Sequence, residues 1–251
     1  MENNQHAFLA TVRNALGRST PQMPPDLFGS QPADLDKKLH AYLNKSKSEK
    51  KDLLKLYIEQ AEDAHIKVSL QKNIEEAALS IRQLVKTTEP EWGDKKSVIA
   101  WHHTLIDALR LEDALKNDPV NFYVTKGSNT PEELERNTIR DRLIQSYIGI
   151  TSADFCVAQT ATLVMRTRPN QPRAVSLVPS IHIAVISADQ IVKDLKELYF
   201  RLKWDKKELE SGLSNCMTFI SGPSKTADIE LQMVFGAHGP KQLYVYVITG
   251  V

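Results

Sequence analysis

One short segment combines hydroxyl groups, small residues and a cation, which together suit the binding of an anion. The segment consists of Ser221, Gly222, Pro223, Ser224, Lys225 and Thr226. The surrounding pattern predicts that it joins a strand to a helix at residues 226–235. A helix N-terminus presents unpaired N–H groups and partial positive charge, so we expect the segment to hold a carboxylate or a phosphate. The structural alternative is that Ser224 or Thr226 caps the helix and Asp228 complements its dipole.

Three titratable side chains are candidates for proton transfer. His182 and His238 lie near predicted strand and turn positions, and an imidazole titrates near neutral pH. Asp228 is a candidate base if its carboxylate turns inward, and for all three the alternative is a structural role. His102 and His103 follow a predicted strand, where they either line the same cleft or belong to a solvated loop. Neither His182 nor His238 has a second ligand nearby in the sequence, so no metal site is predicted.

Strand and helix patterns, which must position these residues, alternate along most of the chain. Strands are predicted at residues 67–70, 98–101, 121–124, 217–220 and 242–248, and helices at residues 35–64, 74–85, 105–115, 130–147, 188–202 and 226–235. Residues 155–165 and 174–187 are rich in β-branched side chains and predict two strands around a turn at residues 166–173. Such alternation is typical of a parallel sheet with helices on both faces, since parallel strands need crossover connections. The sequence therefore predicts an α/β fold.

The start of the chain has a different character. An apolar pattern at helical spacing is formed by Phe8, Leu9, Val12 and Leu16. Residues 19–34 then contain four prolines and few apolar side chains, a composition typical of a linker. We therefore predict a helix and a proline-rich linker over residues 1–34, followed by one main domain over residues 35–251.

The composition argues against several partners and cofactors. The 251 residues include 32 Lys and Arg against 31 Asp and Glu, and a net charge of +1 creates no field that attracts a nucleic acid. No stretch reaches the roughly 18 apolar residues of a membrane helix, and the first residues lack the basic region of a signal peptide, so we expect a cytoplasmic protein. Two cysteines are too few for an iron–sulfur cluster, which usually needs about four thiolates. No G-x-G-x-x-G turn indicates a dinucleotide site.

Three arginines and two cysteines complete the set of side chains with chemical potential. Arg166, Arg168 and Arg173 surround a proline-containing turn, where they either grip a carboxylate or an acidic partner surface or belong to a solvated loop. Cys156 and Cys216 lie in apolar surroundings and are expected to be buried, inert thiols.

Three segments of the second half carry a resemblance to a known family. Residues 149–154 read Gly-Ile-Thr-Ser-Ala-Asp, and residues 177–185 read Leu-Val-Pro-Ser-Ile-His-Ile-Ala-Val. Residues 220–230 read Ile-Ser-Gly-Pro-Ser-Lys-Thr-Ala-Asp-Ile-Glu, and Gly-Ala-His-Gly-Pro follows at residues 236–240. Together these segments resemble the lactate-utilisation (LUD) domain family, in its protein C branch.

The resemblance implies a three-layer, Rossmann-like fold related to ribose-5-phosphate isomerase, glucosamine-6-phosphate deaminase and the coenzyme A transferases. It also implies a place beside iron–sulfur proteins of the same operon, which carry the clusters of a complex that oxidises L-lactate to pyruvate. A small carboxylate such as lactate or pyruvate is then the expected ligand. No cofactor is expected in this chain itself.

One departure from the family pattern weakens a catalytic role for one strand. Where the family typically shows Ala-Glu-Thr-Gly-Thr, this chain has Ala158, Gln159, Thr160, Ala161 and Thr162. An amide is not the nucleophile that a glutamate provides in coenzyme A transferases, although Gln159 can still donate a hydrogen bond to a carboxylate. Alanine in place of glycine argues against a positive φ angle at position 161. Gln159, Thr160 and Thr162 stay candidates for ligand binding.

These observations favour a non-redox subunit of an iron–sulfur lactate-utilisation complex. The rival hypothesis is a free-standing enzyme or binding protein for a small carboxylated or phosphorylated metabolite, which would use Lys225, Asp228 and a histidine. A third hypothesis is a regulatory or scaffold subunit without catalysis, for which Gln159 and Ala161 are the best evidence. Turnover by the isolated chain would favour the rival.

Overall fold

The computed structural model describes most of the chain. The described residues are 2–15, 17, 31–91, 95–126, 132–212, 216–227 and 233–250. They divide into two units, residues 1–40 and residues 41–251. In the first unit, α1 (Glu2–Ala15) confirms the predicted opening helix, whereas residues 19–30 of the proline-rich linker lie outside the described part. Helix α2 (Leu35–Leu43) begins in this unit, and the predicted domain boundary stays a prediction.

The rest of the chain alternates strands and helices. The strands are β1 (Ile66–Gln71), β2 (Lys96–Trp101), β3 (Val120–Thr125), β4 (Ile148–Thr151), β5 (Phe155–Val157), β6 (Thr162–Arg166), β7 (Ile181–Ser187), β8 (Ile191–Val192), β9 (Met217–Ile220), β10 (Lys225–Ala227), β11 (Met233–Phe235) and β12 (Gln242–Ile248). The helices are α3 (Lys47–Asp63), α4 (Ile74–Thr87), α5 (Thr104–Ala108), α6 (Leu111–Leu115), α7 (Glu132–Gln145), α8 (Leu195–Trp204) and α9 (Lys206–Glu210).

The largest sheet of the described residues is parallel and has six strands in the order β1-β12-β7-β4-β2-β3. Its central strands are buried on both faces. Ile183 and Val185 of β7 belong to one apolar cluster, while Ala184 and Ile186 belong to the other. Strands of this kind form nearly continuous apolar runs, because helices cover both faces of a parallel sheet. The predicted α/β fold with a parallel sheet is confirmed.

A smaller sheet, β8-β5-β6-β9, adds a further layer. Its strands are antiparallel except for the pair β5 and β8. One apolar cluster joins α3 and the two sheets, and it includes Tyr57 of α3, Cys156 of β5 and Ile186 of β7. Helices α4, α5 and α6 cover the opposite face of the large sheet. Helix α8 packs on the other face of the smaller sheet through Leu198 and Leu202.

The two strands predicted around a turn at residues 166–173 do not pair with each other. β6 pairs with β5 and β9 in the smaller sheet, whereas β7 lies between β4 and β12 in the large sheet. Residues 155–165, predicted as one strand, form the antiparallel pair β5 and β6 instead. Strands do flank the predicted turn, but they belong to different sheets, and the prolines lie in the connection between those sheets.

Two predicted helices are each interrupted. Residues 35–64 form α2 and α3, because Ser46 caps α3 and exchanges hydrogen bonds with Glu49 in a capping box. Residues 105–115 form α5 and α6, which are separated at Arg110 with its positive φ angle of 48°. Both interruptions result from local backbone geometry that apolar spacing does not reveal.

The helix predicted at residues 188–202 begins later than expected. Residues 188–190 form a 3₁₀ turn, and β8 follows it in parallel pairing with β5. Helix α8 starts only after Asp194, whose side chain accepts a hydrogen bond from the Glu197 N–H group at 2.9 Å. The first part of the predicted helix is therefore wrong, because sheet pairing holds it extended.

The helix predicted at residues 226–235 is also wrong. Strands β10 and β11 form an antiparallel pair instead, and residues 228–232 lie outside the described part. The Ser224 N–H group donates to the Pro240 carbonyl at 2.8 Å, and the Gly236 N–H group donates to the Ser224 carbonyl at 3.0 Å. These tertiary hydrogen bonds outweigh local capping signals, which contribute only about 1 kcal/mol. The predicted anion-binding segment therefore does not precede a helix.

Candidate functional site

A cavity of about 300 Å³ brings most of the predicted site residues together. Its lining includes Ser221, Gly222, Ser224, Lys225, His182 and His238. The first four follow β9, His182 is the second residue of β7, and His238 shortly precedes β12. Three separate segments of the sequence therefore meet at one cavity, beside the amino ends of two parallel strands.

A chain of hydroxyl groups leads into this cavity. The Thr160 hydroxyl lies 2.7 Å from the Thr162 hydroxyl, which lies 2.7 Å from the Ser221 hydroxyl. Thr162 is buried, whereas Thr160 and Ser221 are exposed. Each hydroxyl can donate one hydrogen bond and accept others, so the three protons can reorient together. Ser221 can thus offer a ligand either a proton or a lone pair.

His182 lines the cavity with only 1% of its surface exposed, the same fraction as Ser176. Its Nε2 atom lies 2.8 Å from the Thr151 hydroxyl, while its Nδ1 atom has no hydrogen-bond partner among the described residues. Burial lowers the pKa of His182 to about 3. The side chain is therefore neutral at pH 7, which argues against the predicted titration near neutrality. Thr151 is not among the predicted site residues, although it lies in one of the family-like segments.

Ser224 is hydrogen-bonded to the loop that contains His238. The His238 N–H group donates to the Ser224 hydroxyl oxygen at 3.3 Å. The hydroxyl proton of Ser224 is then available to a ligand, because the oxygen is already used as an acceptor. Gly239 packs against this serine, since an added Cβ atom would lie 3.4 Å from the Ser224 Cβ atom.

Lys225 places its ammonium group at the rim of the cavity, in contact with a residue that sequence reasoning missed. The Lys225 Nζ atom lies 3.0 Å from the Nδ1 atom of His65. His65 precedes β1 and has a positive φ angle of 61°. No sequence motif indicates this pair, because the two residues are far apart in the chain.

Five of the predicted site residues are not among the described residues that line the cavity. The Gln159 side chain is exposed, and the Gln159 N–H group donates to the Lys193 carbonyl at 3.0 Å. Asp228 lies outside the described residues. Thr226 belongs to β10, and its side chain lies outside the described part. Thr160 and Thr162 do not line the cavity themselves, but Thr162 lies within hydrogen-bond distance of Ser221 and links Thr160 to it.

The expectation for Ala161 is wrong. This buried alanine adopts a left-handed conformation, with a φ angle of 47°, where it ends the 3₁₀ turn between β5 and β6. Short connections between antiparallel strands commonly need one left-handed residue. The chain therefore keeps the conformation that glycine would favour, and the alanine bears the strain.

The arginine cluster and the cysteines divide between buried and accessible positions. Arg166 is buried, and its Nε atom lies 3.1 Å from the Asp154 carboxylate. It therefore binds a carboxylate of its own chain and does not belong to a solvated loop. Arg173 is exposed. Cys156 is buried, which raises the pKa of its thiol well above the usual range, whereas Cys216 is half-buried.

The described residues also bear on metal binding and on membrane insertion. The described part contains no group of three or more His, Cys, Asp or Glu side chains placed to hold a metal ion. None of its helices is long and apolar enough to cross a membrane.

Comparison with known proteins places the chain in a family. Residues 54–248 match the model of the LUD domain. The chain belongs to the LUD domain family. The family predicted from the three sequence segments is thereby confirmed.

Relatives of this LUD domain protein include bacterial proteins with a functional name. A lactate utilization protein C from Halalkalibacterium halodurans is 33% identical over 154 residues, which cover 61% of this chain and 63% of that protein. A lactate utilization protein C from a Geobacillus species is 28% identical over 178 residues, which cover 70% of this chain and 71% of that protein. The similarity to the first relative thus spans less than two thirds of its length.

A solved structure shares the fold of this LUD domain protein. The crystal structure of a DUF162 family protein from Deinococcus radiodurans matches with a TM-score of 0.53 and 22% sequence identity. The match covers 79% of this chain and 98% of that one. At this identity the likeness concerns the fold alone, and it agrees with the predicted mixed α/β architecture.

Proposed function

We propose that this chain is a non-redox subunit of a lactate-utilisation system, in which the cavity at residues 221–225 binds a small carboxylate such as lactate or pyruvate. The relatives named lactate utilization protein C support this class of function. The observation that carries the proposed site is the buried His182, whose Nδ1 atom has no partner among the described residues. A buried polar atom without a partner is costly, unless a ligand or water provides the hydrogen bond.

The chemistry of the cavity suits a 2-hydroxy or 2-keto acid. The hydroxyls of Ser221 and Ser224 and the ammonium of Lys225 supply donors for a carboxylate. Neutral His182 can carry its proton on either nitrogen, depending on whether the Thr151 hydroxyl donates or accepts. His182 can therefore accept a hydrogen bond from the hydroxyl of lactate or donate one to the keto oxygen of pyruvate.

The oxidation itself is assigned to partner proteins. Lactate loses two electrons and two protons when it becomes pyruvate, so an electron carrier is needed. The sequence contains two cysteines, and iron–sulfur clusters usually need about four thiolates. In this proposal iron–sulfur proteins carry the electrons, while this chain binds and orients the carboxylate.

Calorimetric titration of the purified chain with L-lactate and with pyruvate tests the site. The Ser224→Ala variant should weaken binding roughly 10- to 100-fold, since a hydrogen bond to a charged group contributes about 1.5–3 kcal/mol. Thr87→Ala is the matched control, because the Thr87 hydroxyl bonds within its own helix at 2.9 Å, to the Gln83 carbonyl. Absent binding, or equal affinities of the two variants, would count against the proposed site.

The subunit role is tested by affinity purification of the tagged chain from its host grown on lactate. The eluate is expected to contain iron, cysteine-rich partners and lactate-oxidising activity that disappears when this subunit is omitted. A chain that elutes alone, without iron, and turns over a carboxylated or phosphorylated metabolite would favour the rival hypothesis of a free-standing enzyme.

A further inference from the structure

A second cavity, of about 630 Å³, lies at the carboxyl ends of strands of the large sheet, whereas the candidate site lies at their amino ends. Its lining includes His103 after β2, Asp154 after β4 and Ala188 after β7. His182 of the first cavity is at the amino end of β7, so roughly 20 Å of strand separates the two cavities. His103, expected in the first cleft or in a solvated loop, therefore belongs to a different cavity.

The strand order makes these carboxyl ends a favourable place for a ligand. In the strand order, β3 lies next to β2 towards one outer strand of the sheet. The strand β7 lies next to β4 in the opposite direction, towards the other outer strand. The connections therefore diverge between the neighbouring strands β2 and β4. Open α/β sheets bind ligands outside the carboxyl ends of strands at such a switch point.

The lining of the second cavity is rich in cations. Its charged side chains are Lys45, Lys50, Arg166, Arg168, Arg201 and Lys207 against Asp154, Asp189 and Glu208. Two further carboxylates lie behind it: Glu197 pairs with Lys45, and Asp205 lies 3.9 Å from Arg201. One cation remains in excess after these five carboxylates are counted. The electrostatic potential in the cavity therefore favours an anion. The position of the anion depends on the cations that have unused hydrogen-bond donors.

Several of these cations keep donors that no described residue uses. The Arg201 Nε atom is buried and has no hydrogen-bond partner within the described part, while its guanidinium lies 4.9 Å from the centre of the Phe155 ring. Arg168 contacts Asp154 through Nη2 at 2.5 Å, and its side chain is 35% exposed. Lys207 is exposed at the same cavity. Guanidinium groups are suited to paired hydrogen bonds with carboxylates and phosphates.

Two neutral groups add a preference for a ligand with hydroxyl groups. The Gln171 Oε1 atom is buried and lacks a hydrogen-bond partner among the described residues, so it can accept from a ligand. His103 accepts a hydrogen bond from the Leu105 N–H group at 3.2 Å through Nδ1, and burial lowers its pKa. The neutral ring then carries its proton on Nε2, which is a further donor.

We infer that this second cavity is a separate binding site for a small polyanion that also carries a hydroxyl group. Carboxylate or phosphate oxygens accept hydrogen bonds from Arg168, Arg201 and Lys207, while the ligand hydroxyl donates to Gln171. The inference goes beyond the proposed function, because it concerns different residues, at the carboxyl ends of the strands.

Calorimetry with the full chain tests this inference, with citrate, tricarballylate, glycerol 3-phosphate and uncharged glycerol as probes. Citrate or glycerol 3-phosphate should bind with a Kd below about 1 mM, and glycerol should not bind. The Arg168→Gln variant should lose about tenfold in affinity, and Lys207→Gln should lose severalfold. Tricarballylate, which lacks the hydroxyl of citrate, should bind more weakly than citrate unless Gln171 is replaced by methionine.

Arg173→Gln is the matched control, because Arg173 is exposed on the same loop but does not line the cavity. It should keep the affinity of the unaltered chain, and every variant is checked for its thermal unfolding temperature. Absent binding of both anions at about 10 mM, or equal losses in Arg168→Gln and Arg173→Gln, would overturn the inference. Titration of the same variants with L-lactate separates this outcome from a failure of the proposed function.

Discussion

At the scale of single residues, burial determines the chemistry that each candidate side chain can perform. His182 is identified in the sequence as a group that titrates near neutrality, yet its burial in the protein lowers its pKa to about 3. The surroundings of Gly222 similarly leave no room for a side chain, because an added Cβ atom would lie too close to the Ala64 carbonyl oxygen. Each of these properties leads to a measurable effect of substitution.

Replacing His182 by asparagine should reduce the pH dependence of stability in acid. The pKa of the imidazole is about 3 in the folded chain and ordinarily 6.5. Between these values the unfolded chain binds one more proton, so the free energy of unfolding falls as pH drops from 6.5, by up to about 1.4 kcal/mol per pH unit. Urea unfolding at a series of pH values measures this slope, part of which His182→Asn should remove.

His238→Asn is the control for this experiment, since His238 is exposed. It should retain the slope of the unaltered chain. His103, whose pKa burial also lowers, contributes a slope that remains in every variant. Identical slopes in His182→Asn and in the unaltered chain would contradict the assigned pKa shift of His182.

Replacing Gly222 by alanine should destabilise the protein by more than about 2 kcal/mol. The φ angle of Gly222 is 124°, and an added Cβ atom would lie 2.7 Å from the Ala64 carbonyl oxygen. Gly212→Ala is the control: its φ angle is 74°, but no described atom lies within 4 Å of the added Cβ atom. That control should cost only about 1–2 kcal/mol of backbone strain. Equal destabilisation in chemical unfolding would argue that close approach at Gly222 is unimportant.

At the scale of elements, single residues with unusual backbone angles determine where helices stop. Arg110 separates α5 from α6 with a φ angle of 48°, and its side chain makes no capping hydrogen bond. Ala161 has a similar angle in the turn between β5 and β6. In both cases the surrounding packing imposes a conformation that the residue type itself disfavours.

Replacing Arg110 by glycine should raise the free energy of unfolding by up to about 1 kcal/mol, because glycine adopts the left-handed conformation without strain. The side chain is exposed, so little packing is lost. Lys116→Gly is the control, since Lys116 has a right-handed φ angle of −54°. This variant should lose about 0.5–1 kcal/mol in urea unfolding. Destabilisation by Arg110→Gly would show that the arginine makes a contribution beyond its backbone angle.

At the scale of the whole molecule, a buried ion-pair network connects separate layers. Arg166 ends β6 in the smaller sheet, and its side chain is 7% exposed. It binds Asp154, in the connection between β4 and β5, and Glu208 of α9. It also donates to the Ser211 hydroxyl at 3.1 Å. One guanidinium thus links a helix to the place where the chain passes from the large sheet to the smaller one.

Replacing Arg166 by methionine should lower the free energy of unfolding by about 3–5 kcal/mol, because it leaves the carboxylate of Glu208, whose side chain is only 11% exposed, without its partner. Urea unfolding measures the effect. Arg173→Met is the control, because Arg173 is exposed and its Nη1 atom makes only a long contact, of 3.8 Å, with the Cys216 sulfur. That control should change stability by less than about 0.5 kcal/mol. A similarly small effect of Arg166→Met would contradict the structural role of the network.

The candidate site was only partly predictable from the sequence. Ser221, Ser224 and Lys225 stand out by residue type, and the structure places them together with His182 and His238. The helix N-terminus predicted for the site is wrong, because β10 occupies that position. The second cavity depends on residues from distant segments, so no local motif indicates it.

The family and the class of fold follow from the sequence alone, because motif residues and hydrophobic periodicity are local properties of a chain. Tertiary structure decided which strands pair, as for β6 and β7 in different sheets, since pairing depends on partners far away in sequence. It also decided the pKa of His182 and the left-handed angle of Ala161, because burial and close packing come from the whole fold. Local signals of about 1 kcal/mol give way wherever such long-range contacts oppose them.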